Sequence, residues 1–305
     1  MYYAELAVAP VYTALTAAAV LSIASPALNT LSSHGKTRLS RSSKWNDSSS
    51  SKSFGTSIYH RTLNFLLHSN YLSVNKSRFF DFYVVGVITT IVTSRASTNM
   101  GFGHSCWTPV YLLQIHLARR CCECVWVQKS VSTSKMHIAG YLLGVLHYLC
   151  LPFVFISAQQ ELEQVSYNRV KSAMIAMCCL YFQYQQHRHH VILGSLRRTE
   201  TTSSSYGINS YRLPTGGWFE FVSCPHYFAE IMIYFTLATL NQINTSYAGC
   251  DENGILHQMH KHKHWIVVLW VMTNLSISAK RTHEWYISAF GYSFPQRKKL
   301  IPLIW

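Results

Sequence analysis

Residues 136–158 read MHIAGYLLGVLHYLCLPFVFISA, 23 consecutive positions without a formal charge. At about 1.5 Å per residue, a helix of that length crosses the roughly 30 Å of hydrocarbon in a bilayer. Water is absent there, so backbone N–H and C=O groups must pair within the segment, and a helix is the way a single segment does so. Six further stretches, 6–26, 79–94, 105–118, 172–186, 227–248 and 264–280, are apolar enough to be read with it as transmembrane helices. The expected fold class is therefore all-α, a polytopic membrane protein with about seven transmembrane helices. The stretches 79–94 and 105–118 are short and carry polar residues, so they need shielding by neighbours. Composition agrees, since only 12% of the residues are charged, against roughly 25% in soluble domains. A Ser-rich stretch, Ser40 to Ser57, shows no apolar periodicity and reads as a loop.

Lysine and arginine are unevenly shared among the loops between these spans. The odd-numbered loops and the C-terminal tail hold 21 of them, and the N-terminus and even-numbered loops hold 5. The positive-inside tendency then places the odd loops and the C-terminus in the cytosol. The formal net charge of +14 is spread over these loops, so no nucleic-acid partner is expected. The first span lacks the basic start of a secretory signal and reads as a retained helix. The nine cysteines include Cys121, Cys122 and Cys124, spaced too tightly for a disulfide framework, and most are read as buried free thiols. No metal site is expected. The histidines at 257, 260, 262 and 264 are interleaved with lysines in a short loop and read as interfacial residues.

The fifth loop, from His190 to Glu230, combines Arg197, Arg198 and Arg212 with Tyr206, Tyr211 and the turn Pro214-Thr215-Gly216-Gly217. Guanidinium forks match phosphate oxygens two at a time, and glycines allow close backbone approach to such a ligand. Lipid headgroups satisfy the same arginines equally well on composition alone. No GxGxxG opens a βαβ unit, so any dinucleotide site here is not a Rossmann site.

Longer blocks carry more information. HVILGSLR, YRLPTGGWFEFVSCPHYFAEI and the tail HEWY…RKKLIPLIW together resemble the C-terminal domain of the steroid 5α-reductase family. HGKTR at 34–38, VNKSRFFDFY at 74–83 and IHLARRCCECVWVQK at 115–129 are similar to its polyprenol/polyprenal reductase branch. The resemblance implies an endoplasmic-reticulum membrane enzyme with NADPH on the cytosolic side. It also implies hydride delivery to the β-carbon of an α,β-unsaturated carbonyl. In that branch the substrate is polyprenal, a polyprenyl lipid reduced at its α-isoprene unit on the route to dolichol and protein N-glycosylation. A substrate-side N-terminal part, 1–110, and a catalytic part, 111–305, are implied as well.

By motif position, Gln186, His190, Arg197, Tyr211, Arg212, His226 and Glu230 fall where the family lines its cofactor pocket. Ser278, His283 and Tyr286 match positions near the nicotinamide end. Hormone-converting members carry Asn and Asp where this chain has Gln186 and His190, and Asn where it has His226. Those members polarise the substrate carbonyl with a Glu on the second helix and a Tyr on the third. Here Asp81 lies near the first position and His116 one residue before the second, which makes Asp81, His116 and Tyr286 the candidate catalytic set. Arg119, Arg120 and Glu123 match the branch, either as a structural ion-pair cluster or as cofactor contacts. Two other readings stay open: a reductase of 3-oxo-Δ4 steroids or enoyl-CoA thioesters, and a membrane paralogue that keeps the fold without the chemistry.

Overall fold

The computed structural model describes residues 2–24, 72–99, 107–127, 135–155, 169–202, 212–245, 262–302 and 304–305. They form α1 (Tyr2–Ala24), β1 (Ser73–Asn75), α2 (Phe79–Asn99), α3 (Thr108–Trp126), β2 (Lys135–His137), α4 (Ile138–Cys150), α5 (Pro152–Phe155), α6 (Arg169–Thr202), α7 (Pro225–Thr245) and α8 (Lys263–Phe290). The chain is mostly helical, as expected. One feature lies outside an all-α reading, because β1 and β2 pair antiparallel with Ser73 opposite His137 and Asn75 opposite Lys135. Three residues a side is too short for alternation to be read from sequence. This ladder ties the entry of α2 to the entry of α4.

Two stretches, Lys76–Thr98 and Ile138–Phe155, are long and apolar enough to cross a membrane. The other expected spans also coincide with helices, but among the described residues those helices do not reach the same length and apolarity together. In α2 the polar residues are satisfied largely within their own helix. The hydroxyls of Thr90, Thr93 and Ser94 each donate to the carbonyl four residues back at 2.6 Å, and Ser97 does so at 2.9 Å. Back-bonding of this kind removes the donor that would otherwise be unpaired in an apolar setting.

Local chemistry sets the helix ends. Pro109 stands in the first turn of α3 and Pro225 opens α7, where a missing N–H costs nothing. His137 caps α4, its Nδ1 accepting from the Ala139 N–H at 3.1 Å. Gly291 closes α8 with φ 51°, in the left-handed region.

The core is centred on α7, which packs along α6 and against α3 and α8, while α1 lies on α8. Tyr12, Leu113, Leu117, Ile233, Tyr234 and Leu237 are fully buried there. The seven described cysteines are all free, but only Cys179 and Cys224 are buried, and Cys122 and Cys178 are exposed. The expectation that most are buried thus holds for a minority of those described.

At one place α2 and α4 approach so closely that only glycine fits. A Cβ added at Gly144 would lie 2.6 to 3.0 Å from three atoms of the Phe82 ring, which is itself buried. Gly144→Ala is expected to lower stability by about 1–3 kcal/mol through overpacking. The thermal unfolding midpoint in detergent measures it, and a wild-type midpoint would show that the Phe82 ring moves aside freely.

Candidate functional site

Four helices bring a polar cluster together inside the apolar core. At its centre is Glu123, on α3 and buried, which receives four groups. Arg119 and Arg120 reach it from four and three residues back, respectively, on the same helix, Arg120 Nη1 donating to Oε2 at 2.5 Å and Arg119 to Oε1. From α6, His187 Nδ1 stands 2.8 Å from Oε1 and His190 Nδ1 stands 2.6 Å from Oε2. A carboxylate only accepts, so Nδ1 of His187 carries a proton, while His190 Nδ1 stands between Glu123 and, at 2.7 Å, Arg120 Nη1. Arg120 also donates to the Tyr83 hydroxyl of α2 at 2.8 Å and lies over that ring, 4.8 Å from its centroid.

A second carboxylate, Glu230 on α7, adjoins the first. Gln186 of α6 bridges the two halves: its carbonyl accepts from Arg119 and its amide donates to Glu230. His116, fully buried on α3, has Nε2 3.3 Å from Glu230 Oε1 and Nδ1 3.2 Å from Arg119 Nη2. A guanidinium only donates, so the proton of the neutral ring sits on Nε2, facing Glu230. The ring of His226, on α7, is 5.7 Å from that of His190.

Charge bookkeeping decides what this cluster can hold. Burial lowers the His190 imidazole to about 3, with the Arg120 charge adding to the effect, so the ring is neutral at physiological pH. Burial would raise the Glu123 carboxyl, but the hydrogen bond from His190 and the two guanidiniums outweigh it and hold the group well below the carboxylate range. Two guanidiniums thus face two carboxylates, and no positive charge is left over for a phosphate. The cluster offers a neutral, hydrogen-bonding surface instead.

Basic groups collect elsewhere, where the tail meets the loop before α7. Lys298 N donates to the Phe221 carbonyl and Ser223 N to the Lys298 carbonyl, both at 2.9 Å. Arg297 Nη1 donates to the Pro214 carbonyl at 2.7 Å. These bonds fix the Gly216-Gly217 turn, where φ is 91° and 57°, beside Arg297 and the exposed Arg212. A Cβ at Gly216 would meet nothing within 4 Å, so backbone conformation rather than crowding calls for glycine there. The rings of Trp218 and Phe219 rest on His189 at 5.2 and 5.5 Å. Two buried polar atoms bordering this turn, His189 Nδ1 and Arg297 Nε, have no hydrogen-bond partner among the described residues.

The sequence-derived site residues therefore fall into two groups. His116, Gln186, His190 and Glu230 converge in the buried cluster, with His226 against it. On the tail side, His283 Nδ1 is 2.7 Å from the Ser223 hydroxyl, and Tyr286 stacks on Phe294 with centroids 6.0 Å apart. Ser278 donates to the Asn274 carbonyl of its own helix at 2.9 Å. Asp81 makes its contacts away from both groups, accepting from Tyr141 at 2.9 Å and facing Arg78 at 3.4 Å. The Arg197 side chain and Tyr211 lie outside the described residues. Tyr83 and Tyr234 were not singled out from sequence. Tyr234 lies four residues beyond Glu230 on one helix face, a spacing that was legible.

Burial beside Arg188 lowers the His189 imidazole to about 4, whereas an unfolded histidine titrates near about 6.5. A depressed folded value means the full contribution is present above the unfolded value and is lost as pH falls toward 4. Acidification from about pH 7.5 to about pH 5 is therefore expected to lower the thermal midpoint, and less so in His189→Phe. Equal acid sensitivity of the two proteins would contradict this origin.

Comparison with known proteins defines the class first. Residues 134–249 match the family model described as 3-oxo-5-alpha-steroid 4-dehydrogenase. A polyprenal reductase of Danio rerio is 28% identical over 76% of this chain and 79% of its own length. Polyprenal reductase 1 of Arabidopsis thaliana is 26% identical over 79% of this chain and 85% of its own length. A polyprenal reductase of Xenopus laevis is 32% identical over 63% of this chain, and the match spans only 57% of that relative. The resemblance read from the motifs is borne out: the chain is related to the steroid 5α-reductase family and, within it, to polyprenal reductases. The family model and these relatives together indicate an oxidoreductase acting on a CH–CH bond.

Proposed function

We propose that this chain is an NADPH-dependent polyprenal reductase that reduces the α-isoprene double bond of a polyprenyl aldehyde. It does so in the endoplasmic-reticulum membrane on the route to dolichol, with seven spans and a cytosolic C-terminus. The observation that carries the reading is the convergence of His116, Gln186, His190 and Glu230, from three helices, into one buried, electrically balanced cluster. Motif resemblance had assigned all but His116 to the cofactor pocket, from separate stretches of sequence.

The residues fit NADPH in two parts. Two partnerless buried polar atoms, His189 Nδ1 and Arg297 Nε, border a positive-φ Gly-Gly turn flanked by Arg212 and Lys298, a donor set suited to phosphates. The neutral cluster around Glu230 suits an uncharged amide such as nicotinamide, because carboxylate and imidazole pair with amide N–H and C=O. When bound, the cofactor supplies the hydride. The chain's own residues bind and orient it, and the apolar core around α7 excludes water from the reacting carbons.

A direct test is fluorescence titration of the detergent-solubilised protein with NADPH and NADH. The reading requires saturable binding with NADPH preferred. Absence of saturation by either would leave only the non-catalytic paralogue.

A further inference from the structure

Beyond α8 the chain folds back, and residues 300–305 close into a turn whose main chain is satisfied from within. The N–H groups of Leu300 and Ile301 both donate to the Trp305 carbonyl, at 2.9 and 2.8 Å. Those of Ile304 and Trp305 donate to the Ile301 carbonyl at 3.3 and 3.1 Å. Pro302 has no N–H to satisfy. Ile301 and Trp305 pack on the same small buried cluster as Tyr227, Phe228 and Ile231 of α7. The turn therefore lies level with the opening turns of α7, where the expected span 227–248 begins. Ile304 nevertheless points away from the protein, 75% exposed. Lys299 Nζ stands 5.1 Å from the centroid of the Trp305 ring.

We infer that this turn docks an anionic glycerophospholipid, Lys299 meeting the headgroup and Ile304 entering the acyl boundary beside it. A loop in water leaves its N–H groups to the solvent and has no need to close them on itself. At the acyl boundary water is scarce and an open N–H is costly, so a turn that spends its donors internally suits that depth. The side chains agree with the main chain. An isoleucine held outward gains nothing in water, whereas in lipid its apolar surface is removed from solvent. Tryptophan settles at headgroup level, and a lysine lying over it carries its ammonium outward to the phosphates. The expected cytosolic face of the tail meets the leaflet that attracts lysine through its anionic lipids. The inference needs α7 to lie in the bilayer, and it is independent of the reductase reading.

Photolabelling of the full chain in nanodiscs tests the assignment, using phospholipids that carry a diazirine in the acyl chain close to the glycerol. Mass spectrometry then maps the labelled residues. Label is expected on α7 around Phe235, which is 44% exposed, and on residues 300–305. Tail label is expected to be about threefold or more higher with a phosphatidylserine probe than with a phosphatidylcholine probe. Lys299→Gln should abolish that headgroup preference, and Ile304→Asp should remove the tail label, with α7 labelled as before in both. Label on α7 with none on the tail overturns the docking site. Equal tail labelling by the two probes, or a preference that survives Lys299→Gln, overturns it as well. Label on neither segment overturns α7 as a span and the docking site together. If a variant loses the α7 label it has misfolded, and the wild-type comparison of the two probes decides alone.

Discussion

Glu123→Ala is expected to lower stability by about 3–5 kcal/mol, because it strands two buried guanidiniums without their shared acceptor. Arg119 and Arg120 are held to Glu123, and His187 and His190 reach it from α6, so one carboxylate joins α3 to α6 and, through Arg120, to Tyr83 on α2. Without it, Glu230 alone must balance two guanidiniums, and it already accepts from Gln186. The midpoint of thermal unfolding in detergent reads the effect. Glu123→Gln should fall between the two, since its amide oxygen accepts but carries no charge. A wild-type midpoint for Glu123→Ala would mean that water or lipid headgroups reach the guanidiniums, against the burial of Arg120.

Glu230→Gln is expected to act on ligand binding more than on the fold. The amide can still accept from Gln186, so packing is retained, but the buried cluster gains net positive charge and one charge-assisted acceptor is lost. A hydrogen bond to a charged group contributes about 1.5–3 kcal/mol, so NADPH affinity is expected to fall by roughly 10- to 150-fold. Thermal stability should fall by less than in Glu123→Ala. Undiminished NADPH affinity in a folded Glu230→Gln protein would remove Glu230 from the proposed pocket.

The helices were largely legible, because an apolar run in a membrane has few alternatives to helix. The Gly216-Gly217 turn was legible for a similar reason, since paired glycines before an aromatic run mark a tight turn. The hub role of Glu123 was only half visible. Its spacing from Arg119 and Arg120 is a helix-face pattern, but His187 and His190 are more than sixty residues away, and nothing local announces such a contact. Asp81 shows the opposite failure. A carboxyl in the first turn of an apolar helix attracts a functional reading, yet its contacts are Arg78 on the same stretch and Tyr141. The β1–β2 ladder was hidden by its length.

The most direct test of the central claim is product analysis after incubating membranes bearing this chain with polyprenal and NADPH carrying deuterium at the transferable position. The account predicts one deuterium at the carbon β to the carbonyl and a saturated α-isoprene unit, with little product when NADH replaces NADPH. Deuterium at the carbonyl carbon, or unchanged polyprenal alongside reduction of a 3-oxo-Δ4 steroid, would contradict it.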